Sequence, residues 1–555
     1  MLFEDCRLFI KQKKAVAVYL SFLLIMIFMI VRVIIIRNSG LDYYHYKNYY
    51  FTVDTFLYML DMGKIFFLFF VVFSLYMFMK NTKDGINELI SVYSNRKGYA
   101  TVSKAFLLIL LSFTASFIFI ATHIMYVFIT QKNIIIEYLL FICKLWLIYI
   151  VLPNILAILL GLLFSKIKRT KIQILSVILI IYVFCGNFVS LMHAASRTVN
   201  IPYKIGDFFS IFVRGNQKAH DLYYLVSAEI NNPIKHIFLC SLVILVCLLI
   251  SNLKRKKVLI CILTPISITL FILSVCPNSS VYSDNEPGST FDSWMAPQYY
   301  YDIHHTKNEQ ADFIVQEYEL KLSLGYNTKY EVVITPDKKD LDEYKFTLYH
   351  EYSIDSISDN YGNPLDYERD GDYLVISSDS KELTKLNIQY SGNSSLYYSS
   401  VQGVYLPTYI PYYPIPGYYA VFEKKESNTE EWFNKQPKLN VAHFKIKIKG
   451  NKKVYCSLPQ SGQLEYEGDA SGVTILGSNF AREISYNENN LVYSILEIDE
   501  QEALNALARY DKNKTENDPT VVFLVPYNMY GNNYKDSDIL MLTYDRFQAE
   551  DYLEQ

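Results

Sequence analysis

Ala15-Val16-Ala17-Val18-Tyr19-Leu20-Ser21-Phe22-Leu23-Leu24-Ile25-Met26-Ile27-Phe28-Met29-Ile30-Val31-Arg32-Val33-Ile34-Ile35-Ile36 holds a single charge, Arg32. A helix crossing a bilayer needs about 20 mainly apolar residues. This run meets that length and is longer than the apolar core of a cleavable leader. Working outward, comparable runs recur at 55–79, 105–130, 135–164, 171–192, 234–253 and 257–276. The second is interrupted by Asp61 and Lys64. The expectation is a multi-pass membrane bundle of about seven transmembrane helices over residues 1–276.

After Cys276-Pro277 the text changes to polar, Tyr-rich segments that alternate over short stretches. The slightly positive mean hydropathy of +0.13 averages two unlike halves. The chain has 555 residues and a net charge of −3, so no overall basic field favours nucleic acid. Of eight cysteines only Cys456 lies in the polar half, which excludes an internal disulfide framework or a cysteine zinc site there. The Ile-, Lys-, Asn- and Tyr-rich composition suggests an AT-rich bacterium.

Lys and Arg in short loops set orientation. One set of loops holds Arg7, Lys11, Lys13 and Lys14; Lys80, Lys83, Arg96, Lys97 and Lys104; Lys166, Lys168, Arg169 and Lys171; and Lys254 to Lys257. The opposite loops are longer and hold fewer cations, so the first set is expected in the cytoplasm. The N-terminus is then inside, and seven crossings put everything after Cys276 outside the cell membrane.

Two expected cytoplasmic segments have amphipathic faces. In Met1–Lys14, Leu2, Cys6, Phe9 and Ile10 fall near one helical face, suited to the membrane interface. In the loop 80–104, Ile86, Leu89, Ile90 and Tyr93 are spaced i, i+3, i+4, i+7, with Glu88, Ser91, Asn95 and Arg96 opposite. The plain reading is an interfacial helix; the sharper one is a coupling helix. The stretch Glu88-Leu89-Ile90-Ser91-Val92-Tyr93-Ser94-Asn95-Arg96-Lys97-Gly98-Tyr99, with Lys104 leading into the third run, resembles permeases of ABC exporters of the polysaccharide, drug and lantibiotic-immunity type. The resemblance covers roughly residues 1–253. It implies that a cytoplasmic ATPase subunit docks at 84–99, through Ile86, Glu88, Leu89, Ile90, Tyr93 and Arg96. It also implies a second permease chain or a homodimer, and a partly buried segment at Ile205-Gly206-Asp207-Phe208-Phe209-Ser210-Ile211-Phe212-Val213. A seventh span departs from the six usual in that family. The chain lacks Gly-x-x-x-x-Gly-Lys-Ser/Thr, since Gly63-Lys64 is followed by Ile65. ATP and magnesium are therefore expected on a partner subunit, with no cofactor on this chain.

Ionisable residues within spans are candidates for a translocation pathway. Asp61 and Lys64 are an i, i+3 pair, His123 lies in the third run, and Lys144 lies two turns beyond Glu137 in the fourth. The plain alternative is that all four sit near a boundary and snorkel.

In the polar half, 277–310 reads as a linker and 311–495 as an antiparallel sandwich or saddle. Strands are expected at Glu319–Leu324, Tyr330–Thr335, Lys345–Tyr349, Tyr373–Ser377, Leu386–Tyr390 and Phe444–Ile448. Turns are expected at Asp359–Pro364, Asp370-Gly371 and Gly450-Asn451. Residues 496–555 read as a small α/β segment, with helices at Glu500–Tyr510 and Arg546–Leu553 and strands at Val521–Val525 and Ile539–Thr543. The stretches Tyr318–Leu324, Leu386–Gly392, Tyr412-Tyr413-Pro414-Ile415-Pro416-Gly417, Ala442–Ile448, Leu458-Pro459 and Ser471-Gly472-Val473 resemble the N-terminal β-domain of the zinc aminopeptidase N family. The last sixty residues resemble the opening of that family's catalytic domain. The family's usual acidic residue in the Pro-rich stretch is replaced near Gly417.

No catalytic or metal residue is assigned. A zincin needs His-Glu-x-x-His on one helix. His350-Glu351 is followed by Tyr352-Ser353-Ile354 and sits in a strand pattern, and His304-His305 read as solvated. The Tyr-rich stretch through Tyr397, Tyr398, Tyr405, Tyr409, Tyr412, Tyr413, Tyr418 and Tyr419 reads as a sheet face packed on its own core or the membrane, or else as a partner surface. Two functions from different classes follow. One is a non-enzymatic permease subunit exporting a peptide or antibiotic-like substrate. The other is a membrane anchor for a split zinc aminopeptidase whose catalytic half is a separate chain; a sensor without transport is a third.

Overall fold

The computed structural model describes residues 2–39, 55–56, 59–83, 99–130, 135–186, 188–195, 205–206, 208–212, 231–250 and 256–275. It also describes 306–543 less 326, 379–382, 393–398, 400–402, 425–431, 435–438, 451–452, 497, 517 and 526–532. The chain divides into a helical unit, centred on residues 1–277, and a unit containing 278–555.

The helical unit begins with α1 (Leu2–Lys11) and, after Gln12, α2 (Lys13–Ser39). Phe9 of α1 is buried and meets Tyr19 of α2 edge to face. Next come α3 (Gly63–Lys83) and α4 (Tyr99–Thr130). Tyr19 Oη lies 2.8 Å from the Leu111 carbonyl and 2.7 Å from Thr114 Oγ1, fastening α2 to α4. Then α5 (Ile136–Trp146) runs through a π turn (Leu147–Val151) into α6 (Leu152–Phe164). Pro153 sits at the start of α6, where its missing N–H is tolerated best. Further described helices are α7 (Thr170–Cys185), α8 (Phe188–Ala195), α9 (Asn231–Ile250) and α10 (Lys256–Val275).

Among the described residues, five helices are long and apolar enough to cross a membrane: Lys13–Ile35, Met59–Met79, Thr101–Thr130, Ile136–Phe164 and Lys257–Ser274. Two of the seven expected spans are shorter apolar helices, Thr170–Cys185 and Ile234–Ile250. The expected run 171–192 breaks at Gly186, where a side chain would press within 2.7 Å of the Tyr182 carbonyl. The chain restarts there as the separate α8. At 1.5 Å per residue, the 16 residues of α7 reach about 24 Å.

α6 is the centre of the bundle. A Cβ on Gly63 of α3 would lie 2.8 Å from the Tyr149 carbonyl of the π turn, and one on Gly161 of α6 would overlap Ser74 Oγ of α3. Both residue numbers rise together along the pair, so α3 runs parallel to α5–α6, as alternate spans do. α7 and α10 instead expose apolar side chains along most of their length: Ile174, Leu175, Ile178 and Leu179 on one, Val258, Ile262, Ile266 and Phe271 on the other.

The second unit is mainly β. A seven-stranded sheet has the order β14-β15-β12-β1-β2-β7-β4. These are Gln460–Gly462, Glu465–Ala470, Ala442–Lys449, Val315–Ser323, Lys329–Pro336, Leu386–Ser391 and Ser353–Ser358. Alternation puts Tyr318, Leu320 and Leu322 of β1 and Phe444, Ile446 and Ile448 of β12 in the core. The sheet is mixed, where the sequence leads one to expect an antiparallel one. β1 and β12 pair in parallel, Tyr318 opposite Phe444 and Leu322 opposite Ile448. A parallel pair needs a long crossover, and here the intervening strands supply it.

A four-stranded sheet orders β5 (Tyr367–Asp370), β6 (Tyr373–Ser377), β3 (Glu343–Thr347) and β9 (Ile415–Pro416). A three-stranded one orders β13 (Val454–Cys456), β16 (Ile475–Gly477) and β8 (Val404–Leu406). β10 (Phe422–Lys424) and β11 (Trp432–Asn434) form a hairpin. The last sheet orders β17 (Ala481–Tyr486), β18 (Asn489–Ser494), β19 (Val521–Val525), β21 (Leu540–Thr543) and β20 (Asn533–Lys535), beside α11 (Glu500–Asn513). It draws on residues either side of 495, because β18 pairs in parallel with β19. The expected helix at Arg546–Leu553 and most of the linker 277–310 lie outside the described residues.

Candidate functional site

The six coupling residues, Ile86, Glu88, Leu89, Ile90, Tyr93 and Arg96, lie outside the described residues. The helices from which that loop hangs are described. Lys104, one turn into α4, is buried, and its ammonium donates to the Met77 carbonyl of α3 at 2.5 Å. It thereby ties together the two helix ends that flank the loop.

The four pathway candidates are not one cluster. Asp61 and Lys64 form an ion pair at 3.4 Å, both side chains more than 40% exposed. His123 is fully buried on α4, with Nε2 3.1 Å from Tyr138 Oη of α5 and its ring against Phe56. Lys144 points out of the bundle on the exposed face of α5.

A site that the sequence marks only by resemblance is the segment 208–212, between α8 and α9. Ile211 and Phe212 are buried. Phe208 meets Phe238 of α9 and Phe271 of α10, Phe209 meets Phe184 of α7, and Phe212 meets Phe67 of α3. Two buried side chains from the start of α9 hold its backbone. Lys235 Nζ donates to the Ser210 carbonyl at 2.9 Å, and His236 Nε2 donates to the Ile211 carbonyl at 3.1 Å. Lys235 reads from the sequence as a loop cation, and His236 carries no motif; only the position of both in the first turns of an apolar helix could mark them.

In the β unit, His350 and Glu351 occupy the turn between β3 and β4, not a strand. His350 Nδ1 donates to Asp372 Oδ1 at 2.8 Å, and the same oxygen accepts from the His350 backbone N–H. Arg369 fills the turn from below: its guanidinium donates to the carbonyls of Tyr352, Tyr349 (2.8 Å), Leu348 (3.3 Å) and Gly371 (3.0 Å). This arrangement orders a turn. Among the described residues no group of three or more His, Cys, Asp or Glu side chains is placed to hold a metal ion.

Most of the described Tyr-rich stretch is core, while Tyr418 is half-buried. Tyr405, Tyr409, Tyr412, Tyr413 and Tyr419 are buried, while Tyr397 and Tyr398 lie outside the described residues. Three buried hydroxyls donate to carbonyls: Tyr318 to Pro414, Tyr390 to Tyr412 and Tyr412 to Val473. Burial raises the phenol pKa of all three well above the ordinary value, so they stay neutral donors. Burial likewise pushes the Cys456 thiol up to about 12, leaving an inert core residue.

No family model matches the chain, and no curated protein matches its sequence. Among solved structures it is similar to the M1 zinc metallopeptidase of Deinococcus radiodurans, with a TM-score of 0.28 and 12% identity over 44% of this chain and 64% of that one. A variant of that enzyme gives a TM-score of 0.28 and 12% identity over 45% and 66%. A variant bound to a Tyr-Ser-Ala substrate gives 0.27 and 12% over 44% and 63%. The chain covers less than two thirds of the length of each of these enzymes.

Proposed function

We propose that this chain is the membrane-spanning permease subunit of an ABC exporter, carrying a non-catalytic peptidase-like unit on the outer side of a bacterial cell membrane. The observation that carries the reading is the order of parts in the helical unit. A short helix with Phe9 packed inward leads through Gln12 into the first long apolar helix. After three further long helices, a short buried segment at 208–212 separates α7 and α8 from α9. That order matches the one that the resemblance of residues 1–253 implies. ATP and magnesium belong to a separate cytoplasmic ATPase that docks at 84–99, and a second bundle, from another permease or a second copy, completes the transporter. The exported substrate is a peptide or antibiotic-like amphiphile. ATP hydrolysis works by shifting the paired bundles between states that differ in affinity for it.

The deciding experiment is affinity purification of the full chain from its native membrane, as wild type and as Glu88→Lys with Leu89→Asp, followed by mass spectrometry. Co-purification of an ATPase with wild type, lost in the double variant, supports the reading. Capture of a zinc peptidase with no ATPase overturns it in favour of an anchored split aminopeptidase.

A further inference from the structure

We propose that Lys144 is a binding site for the phosphate of a lipid headgroup, presented on the outward face of α5. Ile136, Leu140 and Leu147 are exposed, and Lys144 stands exposed among them. Their spacing of four, four and three keeps all of them on one helical face. The opposite face, through Tyr138, Ile142, Leu145 and Trp146, is buried in the bundle. Among the described residues the Lys144 ammonium has no hydrogen-bond or ion-pair partner. Lys64, by contrast, is paired with Asp61, and Lys104 and Lys235 donate to carbonyls. A cation flanked by Leu and Ile on a lipid-facing stripe needs an anion or water, because hydrocarbon supplies neither.

Depth points to the phosphate. From Lys144 the helix runs on through the π turn to Phe164 at the end of α6. That path is about 20 residues, or about 30 Å at 1.5 Å per residue. The hydrocarbon core of a bilayer is about 30 Å thick. The basic residues Lys166, Lys168, Arg169 and Lys171 follow Phe164. With them at one surface, Lys144 extends its stem along the stripe and brings its ammonium to the headgroups of the other leaflet. Phospholipids carry a phosphate at that level, and a charge-assisted hydrogen bond to it satisfies the ammonium. A carboxylate from a second copy fits less well. In a two-fold pair about the membrane normal, equal residues stand at equal height. Glu137, in the first turn of α5, is then two turns beyond Lys144, about 10 Å away along the axis, and Asp61 is engaged by Lys64. The site rests on α5 and α6 together spanning a bilayer, and is independent of the transporter reading.

The test is native mass spectrometry of the full chain released from nanodiscs of phosphatidylglycerol and phosphatidylcholine, comparing wild type, Lys144→Met and Lys144→Arg. Wild type retains one phosphatidylglycerol more than Lys144→Met, whose affinity for that lipid falls about fivefold, the effect of one cation at the membrane surface. Lys144→Arg keeps the charge and restores retention. The substituted side chain is exposed, so the thermal midpoints of the three proteins agree. Equal retention by wild type and Lys144→Met overturns the site and leaves a hydrated lysine. Displacement of the lipid by inorganic phosphate assigns a soluble anion and overturns the lipid. A dimer mass lost specifically in Lys144→Met assigns the ammonium to a second chain and overturns it as well. Failure of the wild-type chain to enter nanodiscs overturns the span itself, whereas absence of a co-purifying ATPase removes the transporter reading and leaves the lipid result to decide the site.

Discussion

Gly161 of α6 faces Ser74 of α3 so closely that a methyl group on Gly161 would overlap Ser74 Oγ and fall 2.9 Å from the Leu75 amide nitrogen. Small residues allow such backbone approach between membrane helices, where packing rather than hydrophobic transfer holds helices together. Gly161→Ala forces α3 and α6 apart, because the second obstacle is backbone and cannot rotate away. The expected cost is about 1–3 kcal/mol of bundle stability. Thermal unfolding of the full chain in detergent shows it as a lower midpoint, only partly recovered by adding Ser74→Ala. An unchanged midpoint means that the α3–α6 contact is not this tight.

The tyrosine core of the β unit makes a second prediction. Tyr412 Oη donates to the Val473 carbonyl at 2.9 Å, and its own carbonyl accepts from Tyr390 Oη at 2.7 Å. Tyr412→Phe preserves the ring and leaves a buried carbonyl without that donor. The loss is about 1–3 kcal/mol. Tyr361→Phe, at an exposed turn, serves as the control with no change. Equal stabilities for the two variants would show that the Tyr412 hydroxyl is solvated and not part of the core.

Much of this architecture is legible in the sequence, for identifiable reasons. Long apolar runs mark the five long helices because a membrane span needs continuous apolar length. Period-two alternation marks β1, β2, β7 and β12, whose ends fall within a few residues of expectation. Asp359–Pro364 and Asp370-Gly371 are turns as expected, with Gly362 and Gly371 at positive φ. What the sequence hides is non-local. Nothing near Tyr318 announces a parallel partner at Phe444, since that register depends on the path of all the chain between. The break at Gly186 hides inside an apolar run, because a glycine there reads equally well as a helix residue. Asp61, Lys64, His123 and Lys144 stand out as charges, yet burial and partners separate them into an exposed pair, a core histidine and an outward lysine. Lys235 and His236 acquire meaning only through the carbonyls they meet.

Arg369 gives a third prediction, from geometry that only a planar fork satisfies. Its guanidinium serves four carbonyls of the β3–β4 turn and the β5–β6 corner. Lys has a single compact ammonium and cannot reach them together. Arg369→Lys should therefore behave nearly as badly as Arg369→Ala, each losing about 2 kcal/mol or more. Chemical denaturation of the full chain, followed through the β unit's near-ultraviolet tyrosine signal, measures both. A lysine variant as stable as wild type would reduce the role of Arg369 to its charge.

The fourth prediction concerns pH. His443 on the wet face of β12 lies between two carboxylates of β15, with Nδ1 2.7 Å from Asp469 Oδ1 and Nε2 3.0 Å from Glu467 Oε1. Hydrogen bonds to Asp469 and then Glu467 raise its pKa above the usual 6.5. The sign follows from linkage: a group that binds its proton more tightly when folded stabilises the fold when protonated. That contribution is complete below the unfolded value near 6.5 and disappears as pH rises through the higher folded value. It is small, because all three side chains are more than a third exposed and screened by solvent. Denaturation midpoints of wild type and His443→Gln should therefore differ most near pH 6 and converge above the folded pKa, with added salt shrinking the gap at low pH. A gap that widens with rising pH would mean that the neutral imidazole is the form this face prefers.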